Sequence, residues 1–273
     1  MRAVSHGLLR VLLLAAVVGL AGLFLFPTKA HAGRSCEQVR PTPERIARGM
    51  QLAERTAQAL DASGARVVLL ARAGQDLSRF GLRWSHLGIA YRSEDGPWRV
   101  AHKLNQCGTA VAHVYRQGLA EFFLDDPWRF ESAWTVPAPA VQSQLLVLLE
   151  ASAASLVRLH TPAYSIVSHA WAEKYQQSNQ WALETVAAAM EPGTIRNRTQ
   201  AQAWLRFKGY QPGVLTLGPL TRLGGRMSKA NVAFDDHPND KRFADRIETV
   251  TADSVFAWLQ RSGLGAAPVT LAL

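Results

Sequence analysis

Residues 83–106, RWSHLGIAYRSEDGPWRVAHKLNQ, constrain the fold more tightly than any other stretch of the chain. Two strand-like runs, 83–92 and 98–106, flank the turn-forming segment SEDGP at 93–97. Alternation with period 2 puts Trp84, His86, Gly88 and Ala90 on one face of the first run and Leu87, Ile89 and Tyr91 on the other. Both faces are mostly apolar, so the hairpin must be covered on both sides. A turn centred on Asp95 sets His86 opposite Leu104 and His102 opposite Gly88. The two histidines then share a face as diagonal neighbours, about 7–8 Å apart. A slip of one residue would send them to opposite faces. A buried imidazole needs a partner for each ring nitrogen, and each histidine is within reach of the other.

Around this hairpin the chain reads as mixed α and β. Residues 43–61, with Thr42 as N-cap and Pro43 at the first helical position, predict a helix, and ARVVLLARA at 65–73 a buried strand. Segment 108–125 is helix-prone, and a long helix is expected over roughly 140–159. A further helix runs from Ser178 to Met190, stopped by Pro192 and Gly193. Beyond it come a helix at 199–208, a glycine-rich loop, strands in KANVAF and RIETVT, and a terminal helix from Asp253 to Arg261.

The first 32 residues read as a targeting segment. Arg2 and Arg10 precede the apolar run VLLLAAVVGLAGLFLF at 11–26, and AHA at 30–32 is a signal-peptidase pattern. The run is shorter than the roughly 20 residues a membrane span needs. Export with cleavage after Ala32, to the periplasm or beyond, is therefore expected over a retained anchor, with no stable membrane span afterwards. GRSC lacks the small apolar residues of a lipobox. Loss of Arg2, Arg10 and Lys29, with no acid, lowers the formal charge from +9 to +6. Solvated basic faces account for such a surplus; a partner matched to it is anionic, such as wall polymer or lipid headgroups. No nucleic-acid motif is present. In an oxidising compartment the only two cysteines, Cys36 and Cys107, are expected to pair, with Cys107 as a nucleophile the alternative. No zinc-site spacing occurs, and no cofactor or metal is implied.

A strand-borne histidine with a polar residue on the next strand is half of a nucleophilic site. Ser178, opening SNQWALETVAAAM, supplies the other half if that helix packs on the histidine face, where Gly88 and Ala90 would let it approach. A helix N-terminus also offers free N–H groups and a positive dipole end for an oxyanion. Trp84, Gly88, Asn179 and Gln180 would line the cleft.

The order of SHLGI, a polar residue on the following strand, and QSNQWALE at 177–184 resembles the circularly permuted NlpC-type branch of the papain-like fold. That branch includes lipid acyltransferases and amidases, and its nucleophile is a cysteine where this chain has Ser178. The resemblance implies a core over 33–193, an antiparallel sheet with packed helices, and a C-terminal extension over 194–273. It also implies Ser178 as nucleophile, His86 as base and His102 as orienter, acting on an amide or ester. The segments DLSRFGLRWSHLGIAYR, SNQWALE and FDDHP are similar to an exported bacterial family of unknown function, domain-of-unknown-function family 2145.

Serine in place of cysteine leaves two readings, a serine-based hydrolase or acyltransferase and a non-catalytic envelope binding module for a peptide, lipid or wall component. The cluster Asp235, Asp236, His237 and Asp240 reads as turn chemistry, with cation binding the alternative.

Overall fold

The computed structural model describes residues 41–94, 96–125 and 127–273. Helix α1 (Pro43–Ala62) starts where Thr42 accepts a hydrogen bond from the Arg45 amide at 3.3 Å, and it ends at Ser63 and Gly64. Gly64 has φ 68°, a left-handed conformation that glycine adopts without strain. The chain then lays down β1 (Val67–Arg72), β2 (His86–Tyr91), β3 (Arg99–Asn105) and β4 (Ala112–Gly118) as successive antiparallel neighbours. After α2 (Leu119–Leu124), β5 (Glu131–Thr135) pairs with the other edge of β1. Helices α3 (Pro139–Glu150), α4 (Ala153–Val157), α5 (Ser178–Met190) and α6 (Arg198–Phe207) follow. The remaining elements are β6 (Gly213–Thr216), α7 (Pro219–Ser228), α8 (Asn239–Phe243), β7 (Arg246–Thr249), α9 (Ala252–Arg261) and β8 (Val269–Ala272).

The main sheet is antiparallel and six-stranded, in the order β4-β3-β2-β1-β5-β8, so the last strand of the chain closes one edge. Every residue of β1 and β2 is buried, as continuous apolar strands require. One face carries Val68, Leu70, Ala90, Val100 and Trp134, packed against Leu52 and Leu60 of α1 and Phe122 and Phe123 of α2. The other carries Leu69, Leu87, Ile89 and Ala101, packed against Leu145 of α3, Trp181 and Val186 of α5, and Trp258 of α9. A small third cluster joins Leu215 of β6 and Ile247 of β7 to Val167, Leu217 and Phe234. The fold is α+β, and the described residues belong to one compact unit. Among them no helix is long and apolar enough to cross a membrane.

Four expected elements differ, one of them the glycine-rich loop after 208, part of which coils into α7. Most of the helix expected over 108–125 is β4, because each residue from 112 to 118 finds a partner on β3 and only 119–124 are left to coil. Sheet pairing overrides local helix propensity here. The helix expected over 140–159 breaks at Ala151 and Ser152, both extended, and the Arg116 guanidinium takes up the free Leu149 carbonyl at 2.6 Å. KANVAF is no strand; it is tied to residues 165 and 166 through Ile166 N–H to Asn231 O and Ser165 Oγ to Ala233 O.

Candidate functional site

The hairpin has the expected register: Ile89 opposes Ala101, Ala90 opposes Val100 and Tyr91 opposes Arg99. His86 and His102 consequently meet, with Nε2 of His86 2.9 Å from Nδ1 of His102 and ring centroids 5.2 Å apart. His102 Nε2 lies 2.7 Å from Oε1 of Gln117 on β4. A carbonyl oxygen only accepts, so His102 carries its proton on Nε2 and offers a lone pair at Nδ1. His86 therefore donates from Nε2. Arg72, opposite His86 on β1, stacks over the Phe122 ring at 4.9 Å and donates to the Phe122 carbonyl and to Asp125. Both histidines also touch Phe122, which ties the pair to the α2 side of the sheet.

Burial, then the Arg72 charge, pushes His102 down to about 4 and holds His86 well below the usual imidazole range. Two neutral rings joined by one hydrogen bond and capped by a glutamine form an oriented base relay. What such a relay can do depends on what faces it.

Ser178 does not. It is the first helical residue of α5, while Gln177 is the N-cap and accepts from the Asn179 amide. The Ser178 hydroxyl donates to the Lys103 carbonyl at 2.6 Å and also meets the buried Tyr164 hydroxyl. Helix α5 packs on the face of Leu87, Ile89 and Ala101, whereas Gly88, Val100 and His102 crowd together on the opposite face. The sheet itself separates the serine from the histidines. Gly88 is small because of its neighbours within the sheet: a Cβ there would lie 2.6 Å from Val100 Cγ1. The expected Ser178–His86–His102 constellation is thus two parts on two faces.

The expected cleft residues disperse likewise. Trp84 precedes β2, escapes its alternation and packs in the α5-side cluster. Asn179 Oδ1 accepts from the Leu87 amide at 2.8 Å, locking α5 to β2. Gln180 Oε1 accepts from Ser168 Oγ at 2.9 Å.

A buried polar network on the α5 face is absent from the expectations drawn from sequence. Lys103 is fully buried, and its Nζ donates to the Thr161 carbonyl at 2.6 Å and Gln176 Oε1 at 2.9 Å. Burial, then the Arg198 charge, lowers it to about 6. Gln176 donates to Glu184, which pairs with Arg198 at 2.8 Å; Arg198 also binds the carbonyls of Ala172, Glu173 and Tyr175. This network staples the loop that delivers Ser178. Its signal is present in the chain, since Lys103 has the same strand parity as the apolar Ala101.

The Asp–His cluster is also a loop staple. Asp236 Oδ2 accepts from the His169 amide at 2.9 Å, His237 Nε2 donates to Val167 O at 2.8 Å, and Asp235 pairs with Lys174. Asp240 lies in the first turn of α8. Among the described residues no group of three or more His, Cys, Asp or Glu is placed to hold a metal ion, and none of the cysteines is free. Cys36, the expected partner of Cys107, and the whole of the expected targeting segment lie outside the described residues.

No curated protein and no solved structure matches the chain. Residues 59–259 match the family described as an uncharacterized protein conserved in bacteria (DUF2145). That stretch includes β1 to β7, the histidine pair, the Lys103 network and α5. The chain belongs to this family of conserved bacterial proteins.

Proposed function

We propose that the protein is an exported, non-catalytic binding module of the bacterial envelope, on a scaffold related to the permuted NlpC-type papain-like fold. Export is supported by the apolar run at 11–26 with AHA at 30–32. The scaffold is supported by the antiparallel sheet with packed helices and by α5, which packs on the strands that carry His86 and His102, though on their other face. The absence of catalysis is carried by one observation: the Ser178 hydroxyl is committed to the Lys103 carbonyl on the face opposite the imidazoles. A serine hydroxyl needs its base in hydrogen-bond contact at attack, and here the sheet stands between the two. The ligand is a peptide, lipid or wall component, and the positive charge favours an anionic one.

The test is covalent labelling with a fluorophosphonate probe. The wild type is expected to stay unlabelled. Ser178→Cys is expected to react with iodoacetamide at a rate that His86→Ala leaves unchanged. General-base assistance contributes about 10²–10⁴-fold, so labelling of Ser178 that drops by such a factor in His86→Ala would restore the hydrolase reading.

A further inference from the structure

Helix α7 is turned inside out. At 3.6 residues per turn, Leu220, Leu223 and Met227 fall within about 60° of one another, while Arg222 and Gly225 point the other way. The apolar stripe is the outer one: Leu220 is 84 %, Leu223 55 % and Met227 80 % exposed, and no α7 residue is buried. None of its side chains joins any of the three apolar clusters of the described residues. The polar side holds the helix down instead. Arg222 pairs with Asp245 at 2.5 Å and donates to the Leu217 carbonyl, and Gly225 lets Val232 approach so closely that a Cβ would be 3.2 Å from its Cγ1.

Exposing three large apolar side chains on one helical stripe, while placing an arginine on the inner side, is the reverse of what folding alone favours. An external apolar phase makes the arrangement favourable. The charges around the stripe select which one. From Gly209 to Ala233 the chain has no aspartate or glutamate, and it carries Arg222, Arg226 and Lys229. Arg226 is exposed at the edge of the stripe. A helix that is apolar along one outward stripe only, with cations beside that stripe, lies in the plane of an anionic lipid surface. Its apolar side chains then sit among the acyl chains and its cations at the headgroups.

We propose that α7 docks the protein onto an anionic lipid surface through Leu220, Leu223 and Met227, with Arg226 at the headgroup level. The proposal rests on the envelope reading only for the protein's access to lipid; the docking surface itself is independent of Ser178 and the histidine pair. A free anionic polymer would meet the same cations but has no apolar phase for the leucines. A second copy of this chain could cover the stripe but would bring the same positive charges to it.

The experiment uses the full protein purified from an expressing bacterium, after its distribution between envelope and cytoplasm has been recorded. It is mixed with vesicles of phosphatidylethanolamine and phosphatidylglycerol, or with phosphatidylcholine vesicles. Hydrogen exchange of the peptide spanning 219–228 gives a readout local to α7, and co-sedimentation gives the partition. Anionic vesicles are expected to slow exchange in α7, and added salt to weaken binding. Leu220→Ser/Leu223→Ser/Met227→Ser is expected to lower the partition by on the order of 100-fold. Arg226→Glu is expected to remove the preference for anionic vesicles. Exchange in α7 that is the same with and without vesicles overturns the proposal. So does protection that rises with protein concentration in the absence of lipid, which would assign the stripe to a second copy. Equal protection by phosphatidylcholine overturns the anionic part. A protein found only in the cytoplasm would defeat the envelope reading while leaving the vesicle result to stand or fall separately.

Discussion

Burial holds four imidazoles below their ordinary titration range: His86, His102, His160 and His169, the last three at about 4. In the unfolded chain each takes up a proton near 6.5. Between 6.5 and 4 the unfolded state therefore binds more protons than the folded one, and stability falls as pH drops through that window. For His102 the slope is on the order of 1 kcal/mol per pH unit. Lys103 has the same sign in a higher window, from its unfolded value of 10.5 down to about 6. Asp236 and Asp253, raised by burial, act in the opposite direction. The expected outcome is a melting temperature lower at pH 5 than at pH 7, with a shallower difference in His102→Gln. A variant whose pH dependence matches the wild type would show that His102 is not held neutral. The identities of these residues are legible in the sequence, as is the pairing of His86 with His102. Their chemistry is not: pairing Ser178 with His86 assumes that the helix and the imidazoles share a face.

At the scale of elements, the β2–β3 hairpin depends on one missing side chain. A Cβ at Gly88 would lie 2.6 Å from Val100 Cγ1 and 3.2 Å from His102 Cβ. Gly88→Ala is expected to destabilise the protein by about 1–3 kcal/mol through overpacking. Val100→Ala removes the obstructing methyl, so the double variant is expected to be more stable than the sum of the two single effects predicts. Urea unfolding of the four proteins measures this; additive losses would mean that the sheet absorbs the methyl elsewhere. Helices with strong end signals are legible in the chain, α1 from Thr42 and Pro43 and α5 from Ser178 to Met190. Segment 112–118 is not, because nothing local distinguishes it from a helix; its seven pairings with β3 decide it. Helix α7 reads as a glycine-rich loop, since its two glycines weaken the helical signal and its apolar residues point away from any core.

For the whole molecule, the chain runs out from the sheet and returns to it. β8 at 269–272 pairs with β5, so the C-terminal segment contributes to the same sheet as the first strands. Glu184 on α5 and Arg198 on α6, with side chains 1 % and 6 % exposed, form a buried ion pair that binds the region after residue 193 to the helix before it. A further tie, covalent, is a prediction. A Cys36–Cys107 disulfide is expected to fasten the N-terminal tail near the turn between β3 and β4. Mass spectrometry of the protein without reductant should find the mass of the oxidised form, with a linked peptide pair after proteolysis. Alkylation of two thiols in the unfolded, unreduced chain would dismiss the bridge.

The sequence by itself determined which residues share a face of β2 and β3, because period-2 alternation and a five-residue turn leave one register that keeps both strands buried. It also determined where the capped helices begin and end. Only the tertiary structure decided which side of the sheet each helix covers. Alternation sorts residues into two sets but attaches no label to either, and here both sets are apolar. Packing chose the α1 and α2 side for His86 and His102 and the opposite side for α5. That choice, with Phe122 packed on one face and Trp181 on the other, separates Ser178 from the imidazoles.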